Sequence, residues 1–225
     1  MNVIVFGATG MVGRGVLLEC LDDPGVSRVV SVVRRPTGET HPKLTEVVHG
    51  DFLDYTVVEP ALRDADACFF CLGVSSVGMT ENDYRHITYD FTMAAARTLN
   101  RLNPKLVFIY VTGAGTDSTE KGRSMWARVK GKTENDLLAL FPTAYMFRPG
   151  YIHPMRGAGP RIRWLRVVAA VLRPVGFLLT QFPGVGTRTD VLGRAMLAAA
   201  RSGAPSHVVE IREINTLGAA RPGGA

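Results

Sequence analysis

Residues 5–13 read Val5-Phe6-Gly7-Ala8-Thr9-Gly10-Met11-Val12-Gly13 and place three glycines, spaced three apart, directly after an apolar run. The run Val3–Phe6 is typical of a buried strand, and the apolar residues after Met11 recur at helical spacing. Glycines at a strand-to-helix junction let backbone N–H groups approach a pyrophosphate, and the N-terminus of the helix adds its positive dipole end. The stretch therefore predicts a dinucleotide-binding loop, with a tight turn that binds nothing as the alternative.

Short apolar runs alternate with helix-patterned stretches beyond this loop. Strands are predicted at Val3–Phe6, Val29–Val33, Thr45–His49, Ala67–Leu72, Leu106–Val111 and Thr143–Phe147. Strands that alternate with helices form a parallel sheet covered on both faces. The predicted fold is α/β, a doubly wound parallel sheet (Rossmann fold) over residues 1–150. Residues 151–225 are predicted to be a small C-terminal substrate-side segment packed on the same domain, with a helix at Thr189–Ala200 and a further strand at His207–Ile211.

Composition narrows the classes of partner and compartment. The net charge is +6, but the basic residues are mostly scattered arginines and no nucleic-acid-binding motif is visible, so we predict no nucleic-acid partner. Three cysteines are an odd, low number that argues against a disulfide scaffold and for a reducing compartment, which we take as the cytoplasm. Neither the Cys68–Cys71 string nor the five isolated histidines have ligand spacing, so no metal is predicted.

One stretch, residues 164–182, is apolar enough to suggest a membrane. It contains Arg166, Arg173 and Pro174, which are costly in a bilayer core. The default prediction is a soluble protein whose membrane contact is at most peripheral.

The glycine stretch resembles the extended and atypical short-chain dehydrogenase/reductases, the NAD-dependent epimerase/dehydratase group. The later stretches Val111–Gly115, Val129–Glu134 and Arg148–Gly150 are similar to the atypical branch, which includes the Tat-interacting oxidoreductase-like proteins. The resemblance covers about the first 150 residues. It implies that cofactor contacts come from Gly7, Thr9, Gly10, Met11, Val12, Gly13, Arg34, Arg35, Asp51, Phe52, Leu72, Gly73, Val74, Thr112, Lys130, Arg148, Pro149 and Gly150.

The end of the second strand indicates which dinucleotide is bound. An NAD site has an Asp or Glu about 20 residues after the glycines, where it binds the ribose 2′-OH. No acid occurs from Pro24 to Gly38, and Arg34 and Arg35 stand there instead. Because guanidinium matches phosphate in charge and fork geometry, NADP(H) is predicted as the preferred cofactor, with NAD(H) as the second choice. The alternative is a solvated arginine pair that merely ends a strand.

The catalytic stretch departs from the family pattern. The family's reaction needs a tyrosine and a lysine four residues apart on one helix face, and a hydroxyl at the end of the fifth strand. Here Lys130 is present, but Trp126 stands at the tyrosine position, and an indole N–H is neither a usable acid nor a base. Thr112 is the candidate hydroxyl, although the alignment can also slip onto Gly113. Phenols from elsewhere in the chain are Tyr84, Tyr89 and Tyr151.

Two hypotheses from different classes follow. The first is an NADP(H)-dependent oxidoreductase or epimerase-like enzyme acting on an unknown small molecule. The second is a nicotinamide-binding regulator or scaffold that has lost turnover, and Trp126 is the feature that supports it. A third reading is a peripheral membrane protein that docks through Arg161–Phe182.

Two expectations concern assembly and motion. The resemblance implies that helices at Asn82–Leu102 and Ser124–Leu140 pair across a two-fold axis, so we expect a homodimer. The segment Tyr151–Gly186 is either a helix that packs on the core or a lid over an apolar substrate.

Overall fold

Seven parallel strands form the centre of the protein, for which the computed structural model describes residues 1–156, 182 and 184–219. The strands in chain order are β1 (Asn2–Phe6), β2 (Arg28–Val33), β3 (Leu44–Val48), β4 (Ala67–Phe70), β5 (Val107–Val111), β6 (Ala144–Arg148), β7 (Tyr151–His153), β8 (Gly186–Arg188) and β9 (Val208–Glu210). The main sheet has the order β3-β2-β1-β4-β5-β6-β9, and β7 pairs with β8 in a separate parallel ribbon. The direction of strand order changes between β1 and β4, as it does in a doubly wound sheet.

Helices cover both faces of this sheet. They are α1 (Met11–Asp22), α2 (Glu59–Leu62), α3 (Glu81–Arg85), α4 (Phe91–Leu102), α5 (Met125–Leu140), α6 (Thr189–Ser202) and α7 (Ile211–Ala219). A 3-10 turn at Thr56–Val58 precedes α2, and a π-helix at His86–Asp90 joins α3 to α4. Thr80 caps α3, because its hydroxyl oxygen accepts a hydrogen bond from the Asp83 N–H at 3.2 Å.

Alternate residues of the main-sheet strands enter two separate cores. Ile4 and Phe6 pack with α4 and the end of α5, whereas Val3 and Val5 pack with α1, α6 and α7. Both faces of β1 are therefore buried, which explains why its sequence is continuously apolar rather than alternating.

The predicted fold class is confirmed, and every predicted strand is present with ends that differ by one or two residues. Residues 186–219 are part of the same layers. β9 extends the sheet beside β6, and α6 lies so close to α1 that a Cβ on Gly15 would come within 2.4 Å of the Thr189 Cβ. The division of the chain at residue 150 stays a prediction.

Most of the segment predicted as a lid or a membrane-docking surface lies outside the described residues. This holds for residues 157–181, which include Arg161, Trp164 and Arg173. Within the described ranges, no helix combines the length and the apolar character needed to cross a membrane.

Candidate functional site

The loops that follow the carboxyl ends of the strands meet at one edge of the sheet, since the strands are parallel. This edge receives Gly7 after β1, Arg34 after β2, Asp51 after β3, Leu72 after β4, Thr112 after β5 and Pro149 after β6. The topology thus brings to one edge residues as far apart in the sequence as Gly7 and Pro149. Each of the strands β1 to β6 therefore carries at least one predicted cofactor-binding residue at this edge.

The glycine loop is shaped by close backbone approach. Gly7 has a φ of +79° and accepts a hydrogen bond from the Gly10 N–H at 2.9 Å. A Cβ on Gly13 would lie 2.2 Å from the Gly7 oxygen, and a Cβ on Gly7 would lie 2.6 Å from the Leu72 nitrogen. Only glycine fits at these two positions, and the turn leads directly into the N-terminus of α1. The loop therefore fits a pyrophosphate bound by backbone N–H groups and by the helix dipole.

Two arginines follow β2, and a third lies in the first turn of α1. Arg34 and Arg35 are exposed, and neither has an ion-pair partner within the described part of the chain. Arg14, in the first turn of α1, donates a hydrogen bond from Nη1 to Oε2 of Glu39 at 2.8 Å. Sequence reasoning missed both Arg14 and Glu39. The position of Arg14 directly after Gly13 was a signal that could have identified it. Glu39 lies one residue beyond the stretch without acids, in a loop whose conformation no periodic pattern predicts.

The residues after β3 and β4 differ in what they offer to a ligand. Asp51 is exposed and accepts a hydrogen bond from the Leu53 N–H at 2.9 Å. Phe52 is buried against Tyr55 and Phe91, so only its backbone is left for a nucleotide. Val74 is exposed, whereas Leu72 packs on the core.

The predicted catalytic hydroxyl is turned into the protein. Thr112 is buried, and its Oγ1 lies 2.6 Å from Oε1 of Glu134 and 3.1 Å from the Phe147 carbonyl oxygen. With both neighbours accepting, the hydroxyl donates to one of them at a time. Thr112 therefore stabilises the β5–α5–β6 junction in this structure, and its carbonyl rather than its hydroxyl contacts Lys130.

Lys130 is the ionisable group at the family's catalytic positions. Its Nζ donates to the Thr112 carbonyl oxygen at 2.7 Å. Burial disfavours the ammonium and lowers the Lys130 pKa to about 8, although the Glu134 carboxylate opposes the shift. One turn earlier on α5, Trp126 packs toward Gly115, where a Cβ would lie 3.6 Å from Cη2 of the indole. The lysine can thus hold or release a proton near neutral pH. It does so with no phenol at the family's tyrosine position, which Trp126 occupies.

A buried ion pair supports this corner. Glu134 is 1% exposed and accepts hydrogen bonds from Nε and Nη2 of Arg148, which also contacts Ser118. The bond to Glu134 raises the Arg148 pKa. Although Arg148 was predicted to bind the cofactor, its guanidinium is held by Glu134 here, and Pro149 holds the β5 loop by accepting from the Ala114 N–H at 2.9 Å.

The other phenols are placed differently from one another. Tyr84 is 2% exposed and belongs to the core, and Tyr89 donates to Oδ2 of Asp136 at 2.5 Å. Tyr151 is 39% exposed and follows Gly150 at the carboxyl edge. Of the three tyrosines, Tyr151 has the position best suited to reach a ligand at that edge.

Comparisons with known proteins agree with this geometry. A family profile described as NAD(P)H-binding matches residues 7–137. The mitochondrial protein fmp52 of Emericella nidulans is 28% identical over 207 residues, which cover 88% of this chain and 86% of that protein. The mitochondrial protein fmp52-1 of Aspergillus terreus is 30% identical over 167 residues, which cover 69% and 68%. The crystal structure of UDP-glucose 4-epimerase from Thermotoga maritima with UDP-glucose has the same fold, with a TM-score of 0.64 at 16% identity over 89% of this chain and 74% of that one.

The same relatives contradict the prediction of a cytoplasmic protein, because the fmp52 proteins are mitochondrial by name. The prediction depended on the low cysteine count. Free thiols distinguish a reducing compartment from an oxidising one, but they do not distinguish one reducing compartment from another.

Proposed function

We propose that this chain, which belongs to the NAD(P)H-binding family and is an atypical short-chain dehydrogenase/reductase with an epimerase-like Rossmann fold, works as an NADP(H)-dependent oxidoreductase or epimerase-like protein. Its substrate is an unidentified small molecule with a carbonyl or an oxidisable hydroxyl.

The observation that carries the cofactor choice is the exposed pair Arg34 and Arg35 at the end of β2. Because neither has an acidic partner among the described residues, both are available to a 2′-phosphate. Guanidinium groups bind phosphate through parallel hydrogen bonds, and each charge-assisted bond contributes about 1.5–3 kcal/mol. A ribose 2′-OH, the group that distinguishes NAD(H), would leave these charges without a counterpart.

The chain's own residues supply positioning and one proton site. The nicotinamide, when bound, supplies hydride transfer. The glycine loop and the α1 N-terminus hold the pyrophosphate, and Lys130 presents its amine beside the Thr112 carbonyl. With a pKa near 8, Lys130 exchanges a proton with a substrate oxygen at neutral pH more readily than an ordinary lysine.

The second candidate is a binding protein with little or no turnover. Two observations favour it: Trp126 replaces the family tyrosine, and the Thr112 hydroxyl is directed at Glu134 and the Phe147 carbonyl. The family's phenol and its carbonyl-polarising hydroxyl are then both missing from the open edge, and Tyr151 is the exposed phenol that the described residues place there.

The test is calorimetric titration with NADPH and NADH at one fixed salt concentration. The wild-type protein should bind NADPH more tightly by about 1.5–3 kcal/mol, and Arg34→Ala with Arg35→Ala should remove the difference. Arg63→Ala, an exposed arginine before β4 at the opposite edge, is the matched control. Equal affinities in the wild type contradict the cofactor proposal. NADPH oxidation across a panel of carbonyl compounds then separates the enzyme from the regulator.

A further inference from the structure

We infer that Arg14 is a third 2′-phosphate-binding residue and that Glu39, its ion-pair partner, sets cofactor specificity by competing with the phosphate for that arginine. The inference rests on the proposed NADP(H) function. The ligand class is an adenosine nucleotide that carries a 2′-phosphate.

The position of Arg14 follows from the glycine loop. It comes directly after Gly13 in the first turn of α1, and its N–H donates to the Gly10 carbonyl oxygen at 2.9 Å. Its side chain reaches the loop between β2 and β3, where Nη1 contacts Oε2 of Glu39 at 2.8 Å. Arg14 therefore spans from the pyrophosphate loop toward the segment that begins with Arg34 and Arg35.

Glu39 is held in place by its own loop. The Glu39 N–H donates to Oγ1 of Thr37 at 3.1 Å, and the Thr37 N–H donates to Oε2 of Glu46 on β3 at 3.0 Å. The Thr37 hydroxyl also bonds to Glu46. These contacts tie the loop to the sheet, so Glu39 is a fixed feature of this corner.

The charges at this corner favour exchange of one anion for another. The Arg14 and Glu39 side chains are 38% and 29% exposed. An ion pair with that exposure is weak, typically worth about 0–1 kcal/mol. A phosphate carries up to two negative charges and accepts a bidentate arginine, so it is the stronger partner. Glu39 then has two effects on a 2′-phosphorylated nucleotide: it occupies Arg14 beforehand, and it repels the incoming phosphate.

The test compares 2′,5′-ADP with 5′-AMP, which differ only in the 2′-phosphate, by calorimetry with the full chain. Glu39→Gln should tighten 2′,5′-ADP binding roughly threefold to tenfold and leave 5′-AMP unchanged. Arg14→Ala should weaken 2′,5′-ADP about tenfold. The matched control is Glu81→Gln, which breaks an ion pair with Arg128 of similar length, 2.7 Å, on α3 and α5.

The double variant separates exchange from simple repulsion. If Glu39 acts by occupying Arg14, then Glu39→Gln gains less in the Arg14→Ala background than in the wild type. If Glu39 acts by repulsion alone, its charge is no longer neutralised in that background, and the gain is equal or larger; this result overturns the inference. Unchanged binding in Glu39→Gln and Arg14→Ala, together with weaker binding in Arg34→Ala, overturns it as well but leaves the proposed function intact. Failure of the wild type to bind 2′,5′-ADP overturns both.

Discussion

Lys130 gives a prediction about stability that can be worked out from its burial. Its pKa falls from the usual 10.5 to about 8 in the folded protein, because burial penalises the ammonium. The unfolded chain therefore binds more protons than the folded one between these two values. The penalty is fully present below pH 8 and is lost as the pH rises toward 10.5, so the free energy of unfolding should rise with pH in this window.

The expected magnitude follows from the two pKa values. Proton linkage gives a penalty of about 3 kcal/mol at pH 7 and about 2 kcal/mol at pH 9. Lys130→Met keeps the length of the side chain and removes the titration. The change in strength of its hydrogen bond to the Thr112 carbonyl on deprotonation is already contained in the pKa shift. The free energy of unfolding of the wild type minus that of the variant should therefore increase by roughly 1.3 kcal/mol from pH 7 to pH 9.

The assay is urea unfolding of both proteins at the two pH values. The difference between the two proteins cancels the titration of all other groups. Lys132→Met is the control, because the hydrogen bond to Asp136 raises the Lys132 pKa and reverses the sign of its linkage. Parallel pH dependence of wild type and Lys130→Met would refute the argument that Lys130 is desolvated.

Further predictions test the loop, the catalytic corner and the assembly. Gly13→Ala should abolish nucleotide binding and destabilise the protein by about 1–3 kcal/mol in urea unfolding, since its Cβ would meet the Gly7 oxygen; Gly50→Ala, with nothing within 4 Å, should be silent. Trp126→Tyr should raise turnover on a carbonyl substrate by up to about 10²–10⁴-fold in NADPH-oxidation kinetics, and Trp126→Phe should not. Glu134→Gln should cost about 3–5 kcal/mol of unfolding free energy, because it leaves the Arg148 charge without its buried partner. Light scattering at tens of micromolar should report a homodimer, and a monomer mass would contradict the pairing of the α3–α4 and α5 helices.

The sequence was most informative where burial repeats along the chain. Strands buried on both faces give short, continuous apolar runs, so β1, β2, β4, β5 and β6 were predictable to within two residues; β3, which is only half-buried, was predictable from its β-branched residues. Helix α7 was missed, although Ile211 and Ile214 have helical spacing and both are buried. The preceding β-branched run Val208–Val209 favoured a strand through Ile211, and a strand and a helix that meet without a loop leave no turn signal between them.

The catalytic corner was predictable only in part. Lys130 and Trp126 are four residues apart on one helix, so their shared face follows from the sequence. The contacts of Glu134 do not, because they depend on how β5 and β6 are aligned in the sheet, where Val111 faces Phe147. From the sequence alone Glu134 is one of several polar residues in α5, and nothing in the pattern shows that it reaches both Thr112 and Arg148.

The close contact between α1 and α6 has a consequence for how the protein is made. Arg194 of α6 contacts Glu19 of α1 at 3.4 Å across 175 positions of the chain, and the second core needs both helices. A ribosome-bound chain that has reached residue 150 contains the whole nucleotide loop, but the outer face of α1 has nothing to cover it. Contacts so distant in sequence form late and slowly. A released chain truncated at residue 150 should therefore be captured by chaperones and cut by proteases within α1, and the released full-length chain should be protected.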